Sequence, residues 1–199
     1  GGTGALRLAG DLLFTRCACT VGATSNPTWG NHNALFAASG LKVLRYRYYT
    51  PKGGVDFSGL TQDLNALPDK SVVLLHACCH NPTGYDLTKA QWDEVLDICR
   101  KNHLIALLDI AYQGFGDGLV EDTYAVRLFA RSGLDFCVAS SFSKNFGLYG
   151  ERIGALTVVT QNEKEAYAVL TNAESLVRSS YSNPPLHGAR IVRNVLTDP

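Results

Sequence analysis

The 199-residue chain predicts an α/β domain, a mostly parallel sheet with helices on both faces. Three observations lead there. Strand-like apolar runs alternate with helical patterns, the order that a sheet layered with helices requires. Runs such as "SVVLLHACC" and "HLIALLDIAY" are apolar almost throughout, as strands buried on both faces are. Hydrophobic residues make up 46% of the chain, enough to bury a sizeable core, and no repeat, low-complexity tract or linker divides it, so one compact domain is expected.

Taken in order, "ALRLAGDLLFTRC" after "GGTG" carries apolar residues at helical spacing, and "HNALFAASG" reads as a short helix closed by Gly40. "KVLRYRYY" alternates as a strand, and "SVVLLHACC" is a buried strand ended by "HNPTG", whose Asn, Pro and Gly break regular structure. "LTKAQWDEVLDICRKN" is an amphipathic helix with Thr88 as N-cap and Asn102 near its end. "HLIALLDIAY", "LDFCVASSFS" and "RIGALTVVT" are further strands. A long helix from about Asn162 to Ser179 follows, "SNPP" breaks the chain, and "LHGARIVRNVLTD" is a last helix. Ligands of such sheets gather at the carboxyl ends of the strands. That rule singles out Asn81 after the Val72 strand, Asp109 at the end of the Leu104 strand, and Lys144 after the Phe136 strand.

Composition narrows the function. Lys+Arg and Asp+Glu balance at 18 each, so no bulk charge draws nucleic acid or an anionic membrane. No apolar run reaches the roughly 18–20 residues of a membrane span, and no signal-peptide pattern opens the chain. The six cysteines lie mostly in apolar segments and read as reduced core thiols of an intracellular, cytoplasmic protein. Any targeting segment would precede residue 1. The chain has no methionine and opens on "GGTG", which leads us to expect a piece of a longer protein.

Several groupings carry possible chemistry. "HACCH" places His76, Cys78 and His80 two apart, on one face of a strand. A metal site and a set of buried strand residues are both open, although three ligands so spaced grip a tetrahedral ion awkwardly, and no CxxC or HExxH accompanies them. "GGTG" before a helix is either a phosphate cradle, with free amides and the helix dipole favouring an anion, or a plain glycine turn. Asp109, ending an apolar run, requires a cationic or hydrogen-bonding partner, or it serves as a cap. In "SSFSKNFGLYGERIG", Lys144 at a strand mouth among aromatic rings suits imine chemistry. Arg152 with the Ser141 and Ser143 hydroxyls suits an anion. Two solvated surface cations are the alternative.

That last stretch resembles the lysine-bearing segment of the pyridoxal-phosphate-dependent class I aminotransferases, in particular their aspartate/aromatic amino acid branch. "GGTGALR", "SNPTWGNH", "HACCHNPTG", "DIAYQGFGDGL" and "YSNPPLHGA" match the same branch in order, so the resemblance covers essentially the whole chain. It implies a fold-type I large domain binding pyridoxal 5′-phosphate, with Lys144 forming the Schiff base and then shuttling a proton between the substrate Cα and the cofactor C4′. Asp109 would pair with the pyridine nitrogen, and Tyr112 and Asn81 would hydrogen-bond the phenolic oxygen. Asn81 would also lie against the substrate α-carboxylate, Trp29 would stack on the ring, His32 would support Asp109 from behind, and His76 would sit near that carboxylate.

The phosphate would rest on Gly2, Thr3, Ser141 and Arg152. Arg178 matches the arginine that reaches a neighbouring subunit's site to pair with the distal carboxylate of a dicarboxylic substrate, its alternative being a solvated helix-face cation. No metal is expected. The implied activity is amino-group transfer between aspartate or glutamate and a 2-oxo acid by a ping-pong route, in a homodimer. An aromatic amino acid aminotransferase of the same branch is the alternative, and a cofactor-holding fragment without turnover is the alternative of another class. Residues 1–199 are expected to be the cofactor-binding large domain, without the family's N-terminal segment and C-terminal small domain.

Overall fold

A computed structural model describes residues 1–198. Its elements in chain order are α1 (Gly2–Arg16), β1 (Val21–Asn26), α2 (His32–Ala38), β2 (Lys42–Arg47), α3 (Phe57–Asn65), β3 (Val72–His76) and α4 (Lys89–Lys101). They continue with β4 (Ile105–Ile110), a 3-10 turn (Glu121–Thr123), α5 (Tyr124–Ala130), β5 (Phe136–Ser141), β6 (Gly154–Val159), α6 (Glu163–Ser180) and α7 (Leu186–Thr197). The strands form one sheet in the order β2-β1-β3-β4-β5-β6. All pairs are parallel except β5 with β6, which is antiparallel. The expected α/β class with a mostly parallel sheet is what the chain adopts.

Helices cover both faces, and side-chain alternation along the strands feeds two separate cores. On one face Val73, Leu75, Ala106, Leu108 and Val138 pack against Leu60 and Leu64 of α3, Trp92 and Val95 of α4, and Phe129 of α5. On the other, Val72, Leu74, Leu107, Cys137 and Ala139 meet Leu6, Ala9 and Leu13 of α1 and Phe36 of α2. The predicted cap holds: Thr88 and Gln91 form a reciprocal capping box at α4, which satisfies two otherwise orphaned amides. At α6 the Asn162 side chain, not singled out as a cap from the sequence, accepts from Glu165 N–H.

Three elements lay outside the sequence expectation. Strand β1, "VGATSN", has little apolar content, yet five of its six residues are buried. Its small residues are a packing requirement: a Cβ on Gly22 would lie 2.4 Å from Phe36 Cδ2. The short helices α3 and α5 were also missed. One reading is corrected, since "HACC" is not strand. β3 stops at His76, and Cys79 takes a left-handed backbone with φ 50°, which ends the alternation that would have put His76, Cys78 and His80 on one face.

The last two helices are lightly anchored. α6 buries no residue, and α7 buries only Gly188 and Val192. No helix among the described residues is long and apolar enough to cross a membrane.

Gly22→Ala is expected to destabilise the domain by about 1–3 kcal/mol, the usual penalty for overpacking, because the new methyl meets a fully buried ring. A lowered urea midpoint at unchanged m-value is the measurement that checks it.

Candidate functional site

The rule that fills the two cores also builds the site. On the α1/α2 face, the row Leu74–His76 of β3, Leu107–Asp109 of β4 and Cys137–Ala139–Ser141 of β5 runs from apolar to polar at the carboxyl end. Register pairs His76 with Asp109 and Asp109 with Ala139. The antiparallel β6 brings its beginning to this same end, Gly154 opposite Ser141, which delivers Arg152. Helix α1 starts there too. A Cβ on Gly154 would lie 2.4 Å from Ser140 O and 2.8 Å from Gly2 N, so only glycine lets the helix start rest on the β5–β6 hairpin.

These groups line a cleft with about 510 Å3 of empty space, part of it open to solvent. Gly2, Thr3, Trp29, His76, Asn81, Asp109, Tyr112, Ser141, Lys144 and Arg152 all line it. Ten of the twelve residues singled out from sequence thus converge. Of the other two, His32 lies directly behind: its Nε2 is 3.0 Å from Asp109 Oδ2, and its Nδ1 is 2.7 Å from Thr28 Oγ1. The carboxylate can only accept, so Nε2 carries the hydrogen. Arg178 is elsewhere. It lines a larger groove between α1, β6, α6 and the chain after α6, and it bonds Ser182.

Lys144 is half-buried and has neither a carboxylate nor a hydrogen-bond partner among the described residues. Its Nζ lies 4.8 Å from the Tyr112 ring centroid and 5.4 Å from that of Tyr149, within cation–π range. Arg152 donates to Tyr149 O at 2.7 Å, which leaves the rest of its guanidinium free. The first turn of α1 has no capping side chain, so its leading amides are left open where Gly2 lies against Ser141. Tyr149 and Ala111 complete the wall. Sequence reasoning missed Tyr149, although its position between Lys144 and Arg152 was a usable signal, and it missed Thr28, four residues before His32 on the approach to α2.

The histidines sit as a pile. His76 touches His32 at 5.0 Å and His80 at 4.2 Å between ring centroids. It is buried, and both of its nitrogens lack a partner among the described residues. Burial first, then the neighbouring His80 and His32, hold it well below the usual imidazole range. His80 is saturated instead, Nε2 at 2.9 Å from Ser25 Oγ and Nδ1 at 2.9 Å from Thr83 Oγ1. Burial lowers its pKa to about 4.

The ligand set imagined from "HACCH" is therefore not assembled as such. Cys78 and Cys79 lie instead beside Asp122, with ligand atoms within 4.8 Å of one another. That carboxylate is already engaged by the N–H groups of Gly114, Gly116 and Asp117. Burial would raise Asp122, but those amides outweigh it and hold it below the usual carboxylate range. Burial pushes the Cys78 thiol far up.

Comparison with known proteins identifies the family. The family model for aminotransferase class I and II matches residues 1–199. The chain is 54% identical over 200 residues to an aspartate aminotransferase of Pseudomonas aeruginosa, covering all of this chain and 50% of that protein. It is 48% identical over 199 residues to an aromatic-amino-acid aminotransferase of Escherichia coli, again spanning 50% of the relative. Among solved structures, an aromatic-amino-acid aminotransferase from Burkholderia pseudomallei, covalently bound to pyridoxal phosphate, superposes with a TM-score of 0.98 at 49% identity. It is matched by 100% of this chain and over 50% of its own length. The chain thus spans about half the length of the relatives it matches.

The histidine pile has a measurable consequence. His80 titrates near 4 folded against 6.5 for an ordinary imidazole, so the unfolded chain binds the extra proton between those values. Stability that is fully present above pH 6.5 is lost as pH falls toward 4, at roughly 1.4 kcal/mol per pH unit. Urea titrations at several pH values will show the slope, and the His80 ring resonances will stay mostly in the neutral form until the pH approaches about 4.

Proposed function

The chain belongs to the class I and II aminotransferase family, and from that premise we propose that it holds pyridoxal 5′-phosphate in the Lys144 cavity and serves amino-group transfer between an amino acid and a 2-oxo acid. The observation that carries the reading is Lys144 itself. It is an uncompensated amine between two aromatic rings, in the same cavity as the buried, histidine-bonded Asp109.

The residues present fit the cofactor. A phosphate needs donors and a cation, and Gly2, Thr3, Ser141 and Arg152 supply open amides, a hydroxyl and a guanidinium. The cradle is close, since a Cβ on Gly2 would lie 2.9 Å from Ser141 Cβ. A protonated ring nitrogen needs a carboxylate, which Asp109 provides, and a flat ring needs an aromatic wall, which Trp29 provides. Bound there, the cofactor supplies an electrophilic carbonyl carbon and an electron-withdrawing ring.

The protein's part follows from its groups. Asp109, fixed by the His32 N–H, keeps a proton on the ring nitrogen, while Asn81 and Tyr112 donate to the phenolic oxygen. Lys144 would be the point of covalent attachment, and its amine, when free, would be the base that moves the proton at the substrate Cα. Asn81 holds the substrate α-carboxylate, with His76 beside the Asp109 carboxylate.

Aspartate and glutamate are the proposed amino donors, on the strength of Arg178. That residue does not line the Lys144 cavity but a groove that adjoins it at Arg152, and its proposed role, as the family resemblance implies, is in the site of a second copy in a homodimer. Aromatic amino acids are the alternative donors, and the similarity to relatives of both names supports keeping them. Residues 1–199 act as the cofactor-binding large domain. Since the chain spans half the length of its relatives, the second reading, cofactor binding without efficient turnover, applies to these 199 residues taken alone.

Lys144→Ala is expected to abolish the visible absorbance of attached cofactor and to cut the half-reaction with aspartate by at least about 10²–10⁴-fold, the range for loss of a positioned acid–base group. Stopped-flow half-reactions with aspartate, phenylalanine and tyrosine will rank the donors. Arg178→Ala is expected to weaken aspartate by about 10–100-fold while sparing phenylalanine. An equal loss for all three would remove Arg178 from the reading.

A further inference from the structure

The turn that follows β3 is closed from within. Ala77 N–H still donates to Asp109 O at 2.8 Å, and the chain then leaves the sheet. Cys79 adopts its left-handed conformation without being glycine, which costs free energy and persists only where the surroundings over-determine it. What fixes it is Asp86: Oδ2 accepts the Cys79 N–H at 2.7 Å and Oδ1 accepts the His80 N–H at 2.8 Å. Two successive amides at a left-handed residue form a concavity suited to an anion, and here a side chain seven residues away is that anion.

The rest of the turn is equally committed. His80 is bonded through both ring nitrogens and stacks on Tyr48 at 3.9 Å. Gly84 N–H donates to His80 O at 2.7 Å, and Tyr48 Oη donates to Tyr85 O at 2.7 Å. One side chain is left out. Asn81 has no side-chain hydrogen bond among the described residues, and it lines the cavity.

We propose that Asp86 is a positioning residue for Asn81: by tying the amides of Cys79 and His80, it fixes the turn that presents the Asn81 amide to the cavity. The inference rests on the reading of Asn81 as a donor to the cofactor's phenolic oxygen and adds the group that aims it. A donor to that oxygen stabilises its anionic form and lowers the pH at which the bound chromophore changes protonation state. A loosened Asn81 forfeits part of that effect.

The test uses the full-length protein loaded with pyridoxal phosphate, with Asp86→Asn, Asp86→Ala, Asn81→Ala and the Asp86→Asn/Asn81→Ala pair. Asp86 is exposed, so its variants are expected to fold. The visible absorbance titration should move upward in D86N by about half to one pH unit, further in D86A, and in the same direction as in N81A. The double variant should move no further than N81A alone, because the two act through one group. In the cofactor-free protein, amide exchange at Cys79 and His80 should be at least about tenfold faster in D86N.

An unmoved titration in D86N where N81A moves it, or additive shifts, would overturn the proposal, as would unchanged exchange across residues 79–84. If N81A itself moves nothing, the reading of Asn81 has failed, and the exchange rates alone decide whether Asp86 holds the turn.

Discussion

The site is organised around a buried carboxylate that must not be left alone. Asp109 is 6% exposed at the end of a strand otherwise filled with Ile, Ala and Leu, where an unpaired charge is costly. His32 meets it from 77 positions away in the chain, and Thr28 and the edge of Trp29 meet His32 in turn. This one hydrogen bond ties β4 to α2 across the sheet face, sets the wall against which a ring would lie, and leaves the other carboxylate oxygen to the cavity.

Around that pair, each neighbouring segment solves a separate problem of polarity. Strands β3, β4 and β5 carry apolar rows until their last residue on this face, and there His76, Asp109 and Ser141 replace them. Helix α1 brings amides instead of side chains, and only glycine at positions 2 and 154 allows the approach. The Asn81 turn absorbs its own polar groups through Asp86, Ser25 and Thr83, and the Gly114–Asp117 loop after Tyr112 absorbs its own through Asp122. Two carboxylates caging backbone amides thus hold the two loops that flank Lys144.

Much of this was legible in the sequence, and the misses have physical causes. Long apolar strands and a capped amphipathic helix such as α4 declare themselves by period and by Thr88. The site residues were found where strand ends meet Asn, Pro, Gly and Ser, and the resemblance of six segments then gave each a role. β1 was invisible because its burial comes from smallness, a fit to Phe36, which hydropathy does not register. "HACCH" misled because alternation assumes an unbroken strand, and the left-handed Cys79 depends on Asp86, seven residues on. Tyr149 and Thr28 were overlooked because each acts through its position beside a more conspicuous neighbour.

The reversed direction of β6 has a consequence for the order in which the site can assemble. Parallel partners must be joined across long loops, Gly22 to Val72 for instance, and each such closure costs chain entropy before any contact rewards it. The hairpin is different. Ser141 meets Gly154 directly across a short connection, and that connection carries both Lys144 and Arg152. The segment proposed to grip the cofactor by its carbon and by its phosphate is therefore among the cheapest parts of the sheet to close, and the pocket can begin as a local hairpin before the distant strands arrive to floor it.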